Sequence, residues 1–314
     1  MFLAQAEQCA GTSPLYADLC RRFADDPVAA EIVGPSPSWD EALRLLGGLH
    51  YLVQAGAAAW DESLEPHREF LGDFVRTQPV QTNEVRRAWL LAPLFLRIAE
   101  RMGAPVFDLI ELGSSAGLLL GWDRYHYVYE AGDWGPRDAP LTLTGEERRP
   151  VPADLLTFSP QVRRKVGVDL SPLDLSEESL RLLKAFVWAG HEDRLARLDQ
   201  AFAALRGDPP ELVQGNYVEL LPELLAGRDP EVVTVVFASA TLAYLSDDDV
   251  SGVRSSLEAS GRSGNLVFVS TGKGRTGERH WGLRIVYYPD AEREFAGEAD
   301  FHGAWLDWWL SSRP

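Results

Sequence analysis

The sequence predicts an α/β fold with a doubly wound, mostly parallel sheet, and three observations support this prediction. Residues 1–104 carry apolar residues at helical spacing and show no strand-like alternation. From residue 105 onward, short apolar runs rich in β-forming residues alternate with helical stretches, which is typical of a parallel sheet covered on both faces. A glycine-bearing turn directly follows the first of these runs, at the edge where such sheets bind ligands.

The N-terminal residues 1–104 are predicted to form a helical cap region. A proline-rich turn there predicts a helix start capped at Ser38 or Asp40. Helical periodicity covers residues 2–23, with a break or new start at Ser13-Pro14, then residues 40–54 and 85–102.

Residues 105–314 are predicted to form a Rossmann-like domain. Buried parallel strands are predicted at residues 106–112, 166–170, 232–237 and 265–270, with a weaker strand at 211–214. Helices are predicted between them at residues 177–186, 194–205, 220–225 and 247–259.

An insertion at about residues 124–152 interrupts the alternation of strands and helices. Residues 124–130 and 141–144 alternate in polarity on either side of a glycine- and proline-bearing stretch, which predicts an inserted β-hairpin. The tail at 281–309 is rich in Tyr and Trp and is expected to close the sheet.

Composition limits the partners that we expect. The chain of 314 residues has a net charge of −17, which disfavours binding to nucleic acid because phosphate backbones are repelled. It has no apolar run near the roughly 20 residues that cross a bilayer, and no secretory signal is recognisable. Cys9 and Cys20 are expected to be reduced, buried thiols. We therefore expect a cytoplasmic protein that meets no membrane and takes a small-molecule substrate.

The first predicted strand ends at the motif that carries the functional prediction. Glu111 is followed by Gly113, Ser115 and Gly117. An acidic residue ahead of Gly-x-[Gly or Ser]-x-Gly is the methyltransferase form of the nucleotide-binding turn. The glycines permit a sharp bend and let ligand atoms lie against the backbone, and Glu111 can accept hydrogen bonds from the methionine amine. The pattern predicts S-adenosylmethionine as the cofactor, and a tight turn without any ligand is the structural alternative.

The next two strand ends supply further predicted cofactor contacts. Asp169 is placed to accept hydrogen bonds from the ribose hydroxyls, although a turn or cap residue explains it equally well. Asn216 can hydrogen-bond the adenine amino group and Tyr217 can stack on the ring, with a plain loop and a packed tyrosine as the alternative.

The end of the fourth strand carries predicted substrate-facing groups. Ser239, Thr241 and Tyr244 occupy this position. A structural role at a helix start is the alternative for each.

With these segments in place, the chain resembles the bacterial domain-of-unknown-function 2332 family, which is grouped with S-adenosylmethionine-dependent methyltransferase-like folds. The resemblance implies the cofactor and the fold but no reaction. It rests on Ser13-Pro-Leu-Tyr16, Gln81-Thr-Asn-Glu-Val85, Glu111-Leu-Gly-Ser-Ser-Ala-Gly-Leu118 with Asp123-Arg-Tyr-His-Tyr127, Gly167-Val-Asp-Leu-Ser-Pro-Leu-Asp174, Leu242-Ala-Tyr-Leu245 and His302-Gly303.

Two departures from the pattern expected of the family bear on activity. Ala238 stands where a histidine is expected, and Ser270-Thr-Gly272 stands where Ser-Asn-Glu is expected. Both replacements remove polar groups from the place where a substrate is expected to lie. They weigh against catalysis more than against cofactor binding.

Catalytic residues are predicted near both ends of the chain. Thr82 can cap a helix, and Asn83 and Glu84 then face the substrate or the methionine end of the cofactor, with Glu84 as a possible base. A capped surface helix is the alternative. His302 is the other candidate base, with a buried structural histidine as its alternative. The histidine spacings predict no metal site.

Three functions follow from these patterns. The first is methyl transfer from S-adenosylmethionine to a small-molecule acceptor. The second is a non-catalytic protein that binds S-adenosylmethionine. The third, less favoured, is a serine hydrolase, because Gly113-Ser-Ser-Ala-Gly117 also matches Gly-x-Ser-x-Gly with Ser115 as nucleophile, followed in order by Asp247 and His302.

Overall fold

The computed structural model describes residues 1–81, 83–276 and 280–311. It divides into two compact units. The first unit contains Met1–Asn83 and Ser176–Asp199, and the second contains Glu84–Leu175 and Gln200–Pro314. Both units are therefore built from two separate stretches of chain. The division into domains at residue 104 stays a prediction.

Most of the α-helices lie at the positions predicted from apolar periodicity. The α-helices are α1 (Phe2–Cys9), α2 (Pro14–Ala24), α3 (Pro27–Val33), α4 (Trp39–Gln54), α5 (Arg68–Thr77), α6 (Arg87–Met102), α7 (Glu177–Ala185), α8 (Glu192–Leu205), α9 (Tyr217–Ala226) and α10 (Asp247–Gly261). Of these, α3 and α5 were not predicted. None of the helices among the described residues is long and apolar enough to span a membrane.

Local signals set the helix starts in the first unit. The predicted break at Ser13-Pro14 separates α1 from α2, because proline fits the first turn of a helix but not its interior. Ser38 caps α4 in a capping box with Glu41, as predicted for Ser38. The apolar side of α4 then packs into a core with α1, α2 and α5.

The strands form two sheets. The larger sheet has nine strands in the order β5-β12-β11-β10-β9-β8-β1-β6-β7, and the smaller has the order β3-β2-β4. The strands are β1 (Val106–Leu112), β2 (His126–Tyr129), β3 (Gly132–Trp134), β4 (Thr142–Thr144), β5 (Glu146–Arg149), β6 (Gln161–Asp169), β7 (Glu211–Gln214), β8 (Val233–Ala238), β9 (Leu266–Lys273), β10 (Trp281–Tyr288), β11 (Glu292–Ala299) and β12 (Trp305–Trp308).

The larger sheet confirms the mixed α/β, mostly parallel prediction. β1 lies in its parallel part between β6 and β8, with β7 outside β6 and β9 outside β8. The aromatic tail extends the sheet as the antiparallel strands β10, β11 and β12. Helices α9 and α10 cover one face through a core that includes Leu221 and Leu257, and α6 covers the other, where Phe95 contacts Phe237 at a ring-centroid distance of 5.5 Å.

The insertion differs from the single hairpin that was predicted. The hairpin is formed by β2 and β3, whereas β4 pairs with β2 in the parallel direction, so the predicted antiparallel pairing of 124–130 with 141–144 is wrong. Because β3 already occupies one edge of β2, the chain returns to the other edge of β2 and runs alongside it. β5 then joins the larger sheet beside β12.

Candidate functional site

The turn after β1 is built from left-handed backbone and is tied to β6. Gly113, Ser115 and Gly117 have φ angles of +74°, +51° and +68°, a region that glycine adopts readily and that costs other residues roughly 1–2 kcal/mol. The N–H of Gly113 donates to the Val168 carbonyl at 2.8 Å. The sharp bend expected from the glycine spacing is present at the carboxyl end of β1.

Protein side chains cover both outer glycines of this turn. A Cβ atom added to Gly113 would collide with the Thr241 side chain, and one added to Gly117 would lie 2.6 Å from Pro210 Cγ. In this arrangement the Thr241 and Pro210 side chains occupy the space beside these glycines, and the ligand contact expected of them stays a prediction. Glycine is needed at both positions because neighbouring side chains pack against the turn.

Glu111 lies one residue before the end of β1. Its carboxyl group is buried, and the described residues do not satisfy all of its hydrogen-bonding atoms. Its side chain is 3% exposed, and Oε2 has no hydrogen-bond partner among the described residues. Burial raises the pKa of Glu111 well above its usual value; the negative charge of Asp169 adds to this and the positive charge of Arg87 opposes it. A buried carboxyl group with an unused oxygen is costly for the fold, and it is suited to a cationic hydrogen-bond donor.

Asp169, at the end of β6, holds the turn in place. Its Oδ2 accepts a hydrogen bond from the Ser115 N–H at 2.8 Å, and its Oδ1 accepts one from the Ser171 N–H at 2.9 Å. The structural alternative for Asp169, a turn residue, is thus realised. Each carboxylate oxygen carries a second lone pair, so the ribose contact stays a prediction.

Arg87 brings a positive charge to this end of the sheet, and the sequence argument missed it. Its guanidinium lies over the rings of Trp281 and Phe301, 4.8 and 4.6 Å from their centroids. Its Nε donates to the Phe301 carbonyl at 3.1 Å. It acts electrostatically on Glu111. The signal that was available is the basic pair Arg86-Arg87, two residues after Glu84 and at the start of the predicted helix.

The two predicted catalytic residues lie on neighbouring segments of the second unit. Glu84 is buried, and its Oε1 accepts a hydrogen bond from the Arg86 N–H at 3.1 Å, just before α6 begins. His302 is exposed, which excludes the buried-histidine alternative. The adjacent Gly303 packs against Arg86, whose carbonyl oxygen would lie 2.8 Å from a Cβ atom there.

Two further residues of the 81–84 segment were predicted to have a role. Asn83, predicted to face the substrate, is half-buried and belongs to the first unit. Thr82, predicted to cap a helix, lies outside the described residues.

Asn216 and Tyr217 take the structural roles that were considered as alternatives. Asn216 caps α9, where its side chain accepts a hydrogen bond from the Val218 N–H at 3.0 Å. Tyr217 is buried in the core beneath α9, and its hydroxyl donates to the Thr241 carbonyl at 3.4 Å. Their predicted adenine contacts stay predictions.

The substrate-facing residues predicted after the fourth strand lie in or just before the short 3-10 helix Thr241–Tyr244. Ser239 is buried, and its hydroxyl has no partner among the described residues. Thr241 Oγ1 donates to the Leu112 carbonyl at 2.8 Å and thereby binds this helix to the end of β1. Tyr244 is 74% exposed and points away from the core. Thr241 is in contact with the glycine turn at Gly113.

The hydrolase alternative gains no support from these contacts. The backbone of Ser115 is occupied on both sides, since its N–H donates to Asp169 and its carbonyl accepts from Leu173. Asp247 lies exposed in the first turn of α10.

Comparison with known proteins identifies a family. No curated protein matches the chain. The profile of a family described as uncharacterized proteins conserved in bacteria, DUF2332, matches residues 1–308 and so covers nearly the whole sequence. The chain belongs to this DUF2332 family.

Proposed function

We propose that the chain binds S-adenosylmethionine at the carboxyl ends of β1 and β6 and transfers its methyl group to a small-molecule acceptor. The observation that carries this proposal is the Glu111 carboxyl group, 3% exposed, with one oxygen lacking a hydrogen-bond partner in the described part of the chain. A ligand amine would supply the missing partner and a compensating charge.

The strand order supports a Rossmann-like methyltransferase fold as the frame for this site. Successive parallel strands run outward from β1 to β6 and β7 on one side and to β8 and β9 on the other. The order therefore reverses between β1 and β8, and sheets of this type bind ligands at such a reversal, beyond the carboxyl ends of the strands. Glu111 and the glycine turn lie at that place.

Opposite charges near Glu111 suit the amino-acid end of the cofactor. The methionine part of S-adenosylmethionine carries an ammonium and a carboxylate. Glu111 is suited to the ammonium, and Arg87, which lies within electrostatic reach of Glu111, supplies positive charge for the carboxylate.

Ligand entry in this proposal requires the Thr241–Tyr244 helix to move, because Thr241 fills the space beside Gly113. Few polar contacts hold this helix. Thr241 Oγ1 donates to the Leu112 carbonyl at 2.8 Å, the Ala240 N–H donates to Thr271 Oγ1 at 3.0 Å, and the Tyr217 hydroxyl donates to the Thr241 carbonyl at 3.4 Å.

The proposed chemistry is an in-line displacement. A lone pair on the acceptor attacks the methyl carbon, the carbon–sulfur bond breaks, and its electron pair stays on sulfur, which leaves as a neutral thioether. A hydroxyl or amine acceptor also loses a proton, for which Glu84 and His302 are the proposed bases. The protein's contribution is to hold donor and acceptor aligned and to exclude water.

The test is calorimetric titration of the full chain with S-adenosylmethionine and with its demethylated product. We expect binding in the micromolar range, weakened about tenfold or more by Glu111→Gln, because a hydrogen bond to a charged group contributes about 1.5–3 kcal/mol. The matched control is Glu223→Gln, which removes the same charge from an exposed position on α9 and is expected to bind like wild type. If the folded wild-type chain bound neither compound, the proposal would fail.

A stability measurement is needed to check that the Glu111→Gln variant is folded. The pKa of Glu111 in the folded chain is raised above the usual 4.5, so its contribution to stability is fully present below that pH and is lost as pH rises through the folded-state pKa. The amide in the Glu111→Gln variant does not ionise, so the variant does not lose stability in this way as pH rises. We expect the variant to melt at a higher temperature than wild type at pH 8, with a smaller difference at acidic pH. Binding without turnover on a metabolite panel would favour the non-catalytic alternative, as Ala238 already suggests.

A further inference from the structure

A second candidate binding site lies in the second unit, in a groove between α10 and strands β9 and β10. Its volume is about 330 Å³, at the lower end of the range of small-molecule pockets. Val253 and Leu257 of α10 face Phe268 of β9 and Val286 of β10 across it. Leu242, from the Thr241–Tyr244 helix, also lines it. The floor of the groove is therefore apolar.

The rim of the groove is basic, although the chain as a whole carries a net charge of −17. Four arginines line it, and only two acidic residues accompany them, Glu258 and Glu294. Glu294 is already bound by Arg97 and Arg101, at 3.0 and 2.8 Å. The four lining arginines are Arg254, Arg275, Arg284 and Arg293.

The ion pairs of the described residues leave these four arginines out. Within the residues that the structure describes, none of the four forms an ion pair. Arg275 and Arg284 lie over the same ring, 4.0 and 5.2 Å from the centroid of Phe295, which brings two like charges together. Burial, and then the charge of Arg275, lowers the pKa of Arg284. The negative charge of Glu298 acts in the opposite direction on Arg284, but no carboxylate of the described residues forms an ion pair with any of the four arginines, so the groove keeps an excess of positive charge.

We propose that this groove binds a small organic anion, with the acidic group held by the arginines and an apolar body on the floor. Guanidinium groups bind carboxylate and phosphate oxygens in a two-pronged geometry, and apolar pockets with a few converging polar groups are the usual form of a small-molecule site. The proposal does not depend on S-adenosylmethionine, since none of its residues is among those assigned to that ligand.

The test uses calorimetric titration of the full chain with octanoate and octyl phosphate, which combine the two features and differ in the acidic group. We expect saturable binding of at least one of them with a stoichiometry of one. Octanamide, which lacks the charge, and inorganic phosphate, which lacks the apolar body, are each expected to bind at least tenfold more weakly. Equal binding of octanamide, or of inorganic phosphate, would overturn the proposal, as would no binding of either amphipathic anion.

Variants locate the site. Arg254→Gln and Arg275→Gln change exposed side chains and are each expected to weaken binding of the anion by about tenfold. The matched control is Arg262→Gln, an exposed arginine that follows α10 and is not among the described residues that line the groove. Unchanged affinity in both groove variants, or an equal loss in the control, would contradict the assignment.

Discussion

Gly113 is constrained both by its own backbone and by its neighbour. Its φ angle of +74° is unfavourable for residues with a Cβ atom, and an added Cβ would collide with Thr241, whose own Cβ lies 2.8 Å away. Thr241 is in turn bound to the Leu112 carbonyl. The turn that was predicted from glycine spacing therefore also packs against the Thr241 side chain.

Replacement of Gly113 and of a control glycine separates the effect of the backbone conformation from the effect of the Thr241 contact. Gly113→Ala is expected to lower the free energy of unfolding by several kcal/mol, because backbone strain and overpacking add. Gly103→Ala is the matched control, since Gly103 also has a positive φ, +59°, but a Cβ there would meet no atom within 4 Å. The control is expected to cost only about 1–2 kcal/mol. Equal losses in urea unfolding of the two variants would contradict the role of Thr241.

His50 connects helix α4 to the chain that follows α7. The ring is 5% exposed, and its Nδ1 lies 3.1 Å from the Val187 carbonyl, to which we assign it as donor. Burial lowers the pKa of His50 from 6.5 to about 4. Burial therefore disfavours protonation of the His50 ring in the folded chain, whereas the ring is protonated with its ordinary pKa in the unfolded chain.

The first unit is expected to lose stability in acid through His50. Because the folded-state pKa is the lower one, the unfolded chain binds more protons between pH 6.5 and about 4, and stability falls as pH falls through this window. The loss amounts to about 3 kcal/mol for a shift of this size. Unfolding of wild type and His50→Asn should be compared at pH 7 and pH 4.5, since asparagine can keep the donor without the titration. An equally steep pH dependence in the variant would exclude His50 as its source.

The segment that follows α7 completes a core that the first 83 residues leave open. Phe186 would lie 3.0 Å from a Cβ atom at Gly47 of α4, and Ser13 Oγ donates to the Ala189 carbonyl at 2.7 Å. Ala189 belongs to the same buried cluster as the apolar side of α4. The first unit thus depends on residues that follow the first part of the sheet in the chain.

A fragment of residues 1–83 is therefore expected not to fold on its own. Without 176–199, the apolar surface around Gly47 and Ser13 would be exposed to water, at a cost of about 25 cal/mol per Å². Circular dichroism during heating should show no cooperative transition for the fragment. Addition of a peptide covering 176–199 should restore one. Cooperative unfolding of the fragment alone would show that its core is sufficient.

Local patterns predicted the individual elements well. The strand predicted at 106–112 is β1 without change, and Ser38 caps α4 as expected. Both follow from signals that lie within a few residues: apolar runs, caps and prolines. The start of β6 was missed because its first residues are polar and exposed, so no apolar run marks it.

Contacts between distant residues were not predictable in the same way. Thr241 packs on Gly113 across 128 positions of the chain, and the basic groove joins arginines from α10, β10, β11 and one loop. Nothing in the spacing of these residues indicates their proximity, since it arises only from the order of strands in the sheet. The sequence predicted the glycine turn and its acidic neighbours, but it did not predict the side chains of Thr241 and Pro210 that pack against the turn.

The pairing of β5 with β12 has a consequence for how the protein is made. β5 (Glu146–Arg149) can enter the sheet only beside β12 (Trp305–Trp308), which is synthesised about 150 residues later. At about 5–20 residues per second, the ribosome takes roughly 8–30 s to deliver that partner. Until that partner is made, the segment of β5 has no strand to pair with in the sheet and offers a site for association with other chains.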